Sequence, residues 1–414
     1  MYDKASIALI PSGTKPSKLY SVLPANGNGD FTHDRNLTTA TRVNKDGLIE
    51  SVAADTPRLD YPLTNGVVGD CPHLLLEPQR ENLQVYSEQF DNSAWGKVNS
   101  SVSANSGVAP DGSNNADKLI ADTSNDKHYI QDVTSSLTGV HRASVFAKAD
   151  GYNYVEVGER GTGGARAVFN LSTGVIETEI SSPNAKIENF GNGWYRCSIE
   201  ETMSSSIFAF RIAVSDNTTS DSSWTGNGID GILIWGAQLE EGSYETSYIH
   251  TPTNATVTRS ADICNDSGTS AEFNDSEGVL FAEVEFLDNA NTGYISVSDG
   301  TADNRCIIYS AANQIVVATK SGGSGISKSA TGTPTNLNKI AVAYSSSGSK
   351  FFLNGSNETG TGSFSTTPRV FAANTLDQIN LDISDGSNDL YARVKQVIYF
   401  NEALSDSELQ TLTS

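Results

Sequence analysis

Two stretches of this chain repeat one pattern: a Gly-Tyr pair, alternating apolar and polar residues, a polar turn and a second alternation. One stretch runs from Gly151 to Leu171 and the other from Gly293 to Tyr309. Because the side chains of a β-strand point alternately to opposite faces, each stretch predicts a hairpin with one buried and one wetted face. Their separation of about 140 residues predicts two successive β-domains.

Turn-forming residues divide the rest of the chain into further short alternating segments. The predicted strands are 143–148, 154–158, 166–171, 175–180, 194–199, 208–214, 232–239, 279–286, 294–297, 305–309, 315–318, 338–344, 350–353 and 391–400. We therefore predict an all-β fold with an extended N-terminal arm (1–83), a jelly-roll β-sandwich (84–263) and a second β-sandwich (264–414). The Gly/Ser/Thr-rich segment 321–332 is predicted to be a loop, and Ser405 to cap a short C-terminal helix.

The N-terminal segment has a different character. Residues 1–83 contain seven prolines and no long alternation. Proline removes a backbone donor and favours extended chain, so we predict an arm that docks on another protein and thereby covers its apolar side chains. The candidate docking residues are Leu19, Tyr20, Leu59, Tyr61 and Leu75. A Leu75→Asp change is accordingly expected to leave both sandwiches folded.

The charge of the chain excludes two classes of partner. The sequence has 49 acidic and 27 basic residues, which gives a net charge of −22. Binding to nucleic acid or to an anionic membrane surface needs a concentrated set of Lys and Arg side chains, so neither is expected. Membrane insertion is not expected either, because no stretch approaches the ~20 apolar residues of a membrane helix and residues 1–9 are too short for a signal peptide.

Residue types that carry catalysis are scattered. Residues 226–231 match G-x-G-x-x-G, but a polar loop precedes them and a strand follows, which is not the context of a dinucleotide site. Residues 264–414 contain no histidine, no nucleophile-elbow phrase occurs, and the four cysteines lack zinc-ligand spacing. The chain is predicted to be non-enzymatic, with a polysaccharide lyase or depolymerase on the second sandwich as the alternative.

Two sets of residues are candidates for binding. Asp382, Asp385 and Asp389 could supply the oxygen ligands of a structural calcium ion, with ordinary turns as the alternative and no other cofactor expected. Aromatic rings cover the apolar face of a pyranose while neighbouring polar groups bind its hydroxyls. The candidate glycan-binding aromatics are Tyr152, Tyr154 and Trp224, whereas Trp194 and Trp235 lie in alternating strands and are assigned to the core.

Several phrases of the sequence resemble those of tailed-phage virion proteins. Segments 30–32, 40–50, 57–61, 74–83 and 86–90 with Trp95 are similar to an N-terminal region of tail-fibre and head-fibre proteins. Residues 235–243 with 247–249 resemble the closing strand of their carbohydrate-binding-module-like sandwich. Residues 397–407 are similar to the end of a laminin-G or concanavalin-like lectin domain.

The resemblance implies a protein on the surface of a virion. Its partners would be other virion proteins, further copies of itself in an oligomer such as a trimer, and a host-surface polysaccharide. Multiple weak sugar sites in such an oligomer gain avidity. A purely structural role as a capsid or tail decoration protein is the alternative within this class.

Overall fold

The computed structural model describes residues 2–36, 40–160, 164–182, 184–289 and 293–414. The N-terminal segment begins with a 3₁₀ turn at Tyr2–Lys4 and contains β1 (Ile7–Leu9), β2 (Thr14–Lys15), β3 (Lys18–Leu19), β4 (Phe31–Asp34), β5 (Ala40–Val43), β6 (Ile49–Val52), β7 (Arg58–Asp60), β8 (Leu63–Thr64), β9 (Val67–Val68), β10 (His73–Leu76) and β11 (Arg80–Asn82).

The first β-sandwich contains β12 (Gly96–Val98), β13 (Ser100–Gly107), β14 (Ala116–Ala121), β15 (Asn125–Asp126), β16 (His128–Asp150), β17 (Tyr154–Glu159), β18 (Arg166–Asn170), β19 (Val175–Ile180), β20 (Lys186–Gly191), β21 (Trp194–Ser215), β22 (Trp224–Thr225) and β23 (Gly231–Glu241). The linker and second β-sandwich contain β24 (Val257–Arg259), β25 (Ile263–Asn265), β26 (Gly278–Phe286), β27 (Tyr294–Ser298), β28 (Arg305–Ala311), β29 (Gln314–Ser321), β30 (Ser324–Thr331), β31 (Asn338–Ser345), β32 (Gly348–Leu353), β33 (Ser356–Asn357), α1 (Ser363–Thr366), β34 (Gln378–Asn380), β35 (Ala392–Phe400) and α2 (Asp406–Thr413).

The first sandwich is built on the long antiparallel pair β16 and β21. The described strands follow the order β13-β14-β23-β16-β21-β17-β18-β19, with β12 added to β16 and β20 to β21. The pairing of β16 with β21 shifts register near Thr134 and Leu137. Ile130 and Val145, on either side of this irregularity, belong to one core that also contains Trp95 and Phe210. A single sheet therefore wraps around this core.

The second sandwich consists of two sheets with a shared core. Among the described residues, one sheet has the order β33-β32-β31-β26-β35-β10-β7, with β1 also paired to β35, and the other has the order β30-β29-β28-β27-β34. Leu280 and Val342 of the first sheet and Ile295 and Val317 of the second meet in one hydrophobic cluster. This confirms the prediction of an all-β fold.

Three strands of the N-terminal arm are members of the second sandwich. Leu74 of β10 lies opposite Val394 of β35 and Leu59 of β7. Leu19 and Leu75 are 0% and 2% exposed, and Leu59 packs against the core. The prediction that Leu19, Leu59 and Leu75 dock on a partner protein is therefore wrong, because these side chains are buried in their own chain.

The two remaining candidate docking residues, Tyr20 and Tyr61, are only partly covered by their own chain. Tyr20 is 38% exposed and Tyr61 is half-buried. Ile49 of β6 belongs to a cluster with Phe146 and Trp235 of the first sandwich. The arm thus contacts both sandwiches and joins them.

A buried network of charged side chains holds the arm against the linker. Arg58 donates to Glu77, with 2.6 Å between Nη1 and Oε2, and its other terminal nitrogen pairs with Asp262. Arg35 Nη1 lies 3.0 Å from Asp262 Oδ1, and Arg259 Nη1 lies 2.9 Å from Glu77 Oε2. Burial alone would raise the pKa of Glu77, but Arg259 and Arg58 outweigh it and lower that pKa to about 2.

Two local predictions have opposite outcomes. The Ser405 side chain accepts from the Glu408 amide and the Glu408 side chain accepts from the Ser405 amide, which confirms the predicted helix cap. The predicted loop 321–332 instead contains β30, an edge strand paired with β29 from Gln314 to Ser321. Its small, mostly exposed side chains add little burial, so backbone pairing dominates there.

Candidate functional site

A pair of stacked tyrosines lies on the outer face of the second sandwich. Tyr294 of β27 is directly opposite Tyr309 of β28. The ring centroids are 4.8 Å apart with an interplanar angle of 23°. Because Ile295 and Ile308 point into the core, strand alternation places both tyrosines on the opposite face, where they are half-buried.

These tyrosines belong to a groove of about 270 Å³. Ile307 and Ala318 share a cross-strand row on the same face and form its apolar floor. Ile383 lies on one side, and Ile326 and Ser327 of β30 lie on the other. An apolar floor, two flat rings and a hydroxyl are the groups that a sugar-binding groove requires.

One end of the groove carries two basic side chains. Arg305 of β28 is directly opposite Lys320 of β29. Arg305 Nη1 donates to the Ile383 carbonyl at 3.0 Å, and Lys320 Nζ lies 3.2 Å from Asp303 Oδ1. This hydrogen bond to the Ile383 carbonyl fixes the position of the Arg305 guanidinium. Arg305 is two residues from Ile307 along β28.

The structure separates the aromatics that the sequence predicted. Trp224 is only 7% exposed and packs edge-on against Tyr152 and His128, with ring centroids 4.7 and 4.6 Å apart. Trp224 is therefore a core residue, and its predicted role as an exposed sugar platform is wrong. Tyr152 is half-buried against the same core, and Tyr154 is a half-buried residue of β17. In the sequence these two tyrosines precede the polar segment 158–164, of which residues 161–163 lie outside the described residues.

The carboxylates predicted to bind calcium shape a turn instead. Asp382 is buried, and its side chain accepts from the Ser384 amide at 2.6 Å and from Asn265 Nδ2 at 3.0 Å. Asp385 accepts from both the amide and the hydroxyl of Ser387. Burial and the neighbouring Asp382 raise the pKa of Asp389 to about 6. Within the described ranges, no group of three or more His, Cys, Asp or Glu side chains is placed to hold a metal.

A larger cavity of about 360 Å³ lies between the two sandwiches and the arm. Its charged side chains are paired with one another: Lys186 Nζ is 3.1 Å from Glu245 Oε1, and Arg393 Nη1 is 3.3 Å from Glu285 Oε1. The Arg196 guanidinium lies over the Phe146 ring, 5.4 Å from its centroid. These pairings give the cavity a role in the contact between the sandwiches, and the tyrosine groove is the better candidate for ligand binding.

Glu88 of the first sandwich has a carboxyl group that is almost enclosed by protein. It accepts from the Tyr248 hydroxyl at 2.9 Å and from Asn115 Nδ2 at 2.8 Å. Burial raises its pKa from 4.5 to about 7, and Asp111 adds to the shift. His250 Nε2 lies 3.6 Å from Glu88 Oε1, and burial lowers the pKa of His250. Because the pKa of Glu88 is raised in the folded protein, the ionisation of Glu88 is linked to the stability of the fold.

The Glu88 pKa predicts a specific pH dependence of stability. Between pH 4.5 and about 7, Glu88 stays protonated in the folded protein while it ionises in the unfolded chain, so stability falls as pH rises. A single group can contribute a slope of at most about 1.4 kcal/mol per pH unit. We expect Glu88→Gln to reduce the loss of unfolding free energy over this range, measured by urea titration. The exposed Glu81→Gln is the control, and an unchanged slope in Glu88→Gln would contradict the assignment.

Comparisons with protein families and with curated proteins give no information on the function of this chain. No family model matches this chain and no curated protein matches it. Among the described residues, no helix is both long and apolar enough to cross a bilayer.

Several solved structures are similar in part. A carbohydrate-binding module, CBM40, of the Ruminococcus gnavus IT-sialidase bound to α2,3-sialyllactose shares 15% identity and has a TM-score of 0.28, covering 34% of this chain and 84% of its own. A putative carbohydrate-binding protein from Bacteroides ovatus shares 10% identity and has a TM-score of 0.26, covering 69% of this chain and 79% of its own. Domains LG4-5 of the mouse laminin α1 chain share 12% identity and have a TM-score of 0.23, covering 67% of this chain and 88% of their own. At these TM-scores the likenesses carry no argument, and the proposal below rests on the groove.

Proposed function

We propose that this protein is a non-catalytic glycan-binding protein that holds sugar in the groove of its second sandwich. The observation that carries the proposal is the stacked pair Tyr294 and Tyr309, which stands on a sheet face beside the apolar floor of Ile307 and Ala318 and leaves the outer ring faces for a sugar. A pyranose presents an apolar face to the rings and its hydroxyls to polar groups on the rim, such as Ser327. Since the rings lie on paired strands, little ordering is needed on binding.

We further propose that the protein is a phage virion component, a fibre or appendage exposed on the particle and assembled with copies of itself. This assignment rests on the sequence resemblance of the arm and the first sandwich. The arm folds against its own chain, so its contact with other virion proteins falls to surface residues such as Tyr20 and Tyr61. Oligomers with several grooves would bind a host polysaccharide with the avidity that single weak sites lack.

Tyrosine substitutions test glycan binding directly. We expect Tyr309→Ala and Tyr294→Ala each to weaken binding to the recognised glycans by roughly tenfold or more, because each removes one of the two aromatic rings. A glycan array identifies ligands of the full chain, and calorimetry measures affinities. The half-buried Tyr154→Ala of the first sandwich is the matched control. Unchanged affinity in both groove variants would refute the site, and loss in Tyr154→Ala alone would move it to the first sandwich.

A polysaccharide lyase is the rival function because the groove contains both a tyrosine and an arginine, the residue types of a base and a charge neutraliser. Burial and the neighbouring Tyr294 raise the pKa of Tyr309, which is the wrong direction for a base at neutral pH. Incubation with uronate polysaccharides is expected to give no unsaturated product absorbing in the ultraviolet. Product formation that Tyr309→Phe abolishes would establish the lyase.

A further inference from the structure

We propose that the groove selects anionic oligosaccharides, and that Arg305 and Lys320 bind a carboxylate or sulfate group of the sugar. This inference rests on the proposed function and adds the charge and minimum length of the ligand.

The charge distribution around the groove is the first argument. The chain has a net charge of −22, yet the described residues that line the groove include Arg305 and Lys320 and no Asp or Glu. A separate depression at the edge of the same sheet is lined by four carboxylates: Asp34, Asp266, Asp382 and Asp385. Basic groups are thus concentrated where the aromatic rings are. An anion therefore meets attraction in the groove and repulsion from much of the remaining surface.

The cross-strand position of the two cations is the second argument. Arg305 and Lys320 are directly opposite each other on neighbouring strands. Side chains in such positions have Cβ atoms only about 5 Å apart, and like charges there are destabilising. Asp303 offsets Lys320 but is itself largely exposed, with 67% of its side chain accessible. An anionic ligand between the two cations would relieve their repulsion, and guanidinium binds carboxylate and sulfate with directed hydrogen bonds.

The spacing along β28 sets a minimum size for the ligand. Arg305, Ile307 and Tyr309 alternate on one face, so the guanidinium and the tyrosine pair are separated by four residues. At about 3.3 Å per residue this is about 13 Å along the strand. The lining from Tyr309 to Arg305 is therefore longer than one sugar ring, although the Arg305 side chain spans part of it. We expect the ligand that uses both ends of the groove to contain more than one sugar residue.

Matched ligands that differ only in charge test this inference on the full chain. Calorimetry compares trigalacturonate with its methyl ester, and sulfated lactose with lactose, at low salt and at 0.15 M salt. We expect at least one anionic member to bind roughly tenfold tighter than its neutral partner, and the preference to shrink as salt screens the charges. Galacturonic acid itself is expected to bind more weakly than the trimer.

Substitution of the cation identifies the residue responsible. Arg305→Gln is expected to lower the affinity for the anionic member far more than the affinity for the neutral one, which removes the preference. Lys328→Gln, on β30 and outside the groove lining, is the matched control. Equal binding of both members, or a preference that survives Arg305→Gln, overturns the inference while Tyr309→Ala still tests the proposed function. Absence of binding to any glycan overturns both.

Discussion

Leu74→Asp is expected to lower the free energy of unfolding of the second sandwich by about 4 kcal/mol or more. Leu74 is fully buried in β10, paired on one side with β35 and on the other with β7. Removing a buried leucine side chain alone typically costs about 2–5 kcal/mol, and a carboxylate in its place adds the cost of burying a charge. An arm residue therefore decides the stability of a sandwich that begins some two hundred residues later in the chain.

Val67→Asp is the matched control in the same arm, because Val67 is 68% exposed. Urea unfolding followed by circular dichroism reports both sandwiches, whereas tryptophan fluorescence reports the first, which contains all four tryptophans. Leu74→Asp should shift the circular dichroism transition much more than Val67→Asp does. A Leu74→Asp protein as stable as wild type would mean that the arm does not complete the second sandwich.

Arg58→Ala is the second substitution with a large expected effect. The Arg58 side chain is fully buried and pairs with both Glu77 and Asp262. Its removal leaves two carboxylates in a buried site with less compensation, and breaking a buried ion pair in this way costs about 3–5 kcal/mol. The destabilisation should be greatest near neutral pH, because Arg58 helps to keep the pKa of Asp262 well below its usual range and both acids are then ionised.

Arg42→Ala provides the comparison for an exposed pair. Arg42 Nη2 lies 2.6 Å from Glu50 Oε1, but the two side chains are 26% and 38% exposed. Exposed ion pairs contribute about 1 kcal/mol or less. Chemical denaturation should therefore separate the two variants by several kilocalories per mole. Equal effects of Arg58→Ala and Arg42→Ala would show that the buried network does not hold the arm.

Many strands of both sandwiches were predictable because local sequence carries their signal, although β12, β13, β14 and β20 were not predicted and segments 194–199 and 208–214 belong to the single strand β21. Alternation in segments such as 166–171 and 279–286 reports a buried and a wetted face, whatever the partner strand is. The cap of α2 is likewise local, since Ser405 and Glu408 are three residues apart. Such features depend on spacing within a few residues.

The position of the arm could not be read from spacing. β1, β7 and β10 have three or four residues each, too few for a clear alternation. β1 and β10 pair with β35, which lies more than three hundred residues away, and β7 pairs with β10. A buried leucine in a short strand looks the same in sequence whether it packs on its own chain or on another protein. For Leu19, Leu59 and Leu75 the prediction was therefore right about burial and wrong about the surface that covers them, whereas for Tyr20 and Tyr61 docking stays a prediction.

The sequence did not point to the tyrosine groove, because aromatic residues were selected as candidates when polar residues surrounded them in the sequence. Trp224 lies among polar residues in sequence, yet it packs on Tyr152 and His128. The available signal was parity: Tyr294 and Tyr309 alternate with core isoleucines, which places both rings on the outer face of one hairpin. Pairing them required the register of that hairpin.

The most direct test of the account is a crystal structure of the full chain with its tightest-binding oligosaccharide. We predict a sugar ring against Tyr294 and Tyr309, with the chain of sugars extending over Ile307 towards Arg305. Sugar bound at Tyr152 and Trp224 or in the cavity between the sandwiches, with the tyrosine groove empty, would contradict the central claim.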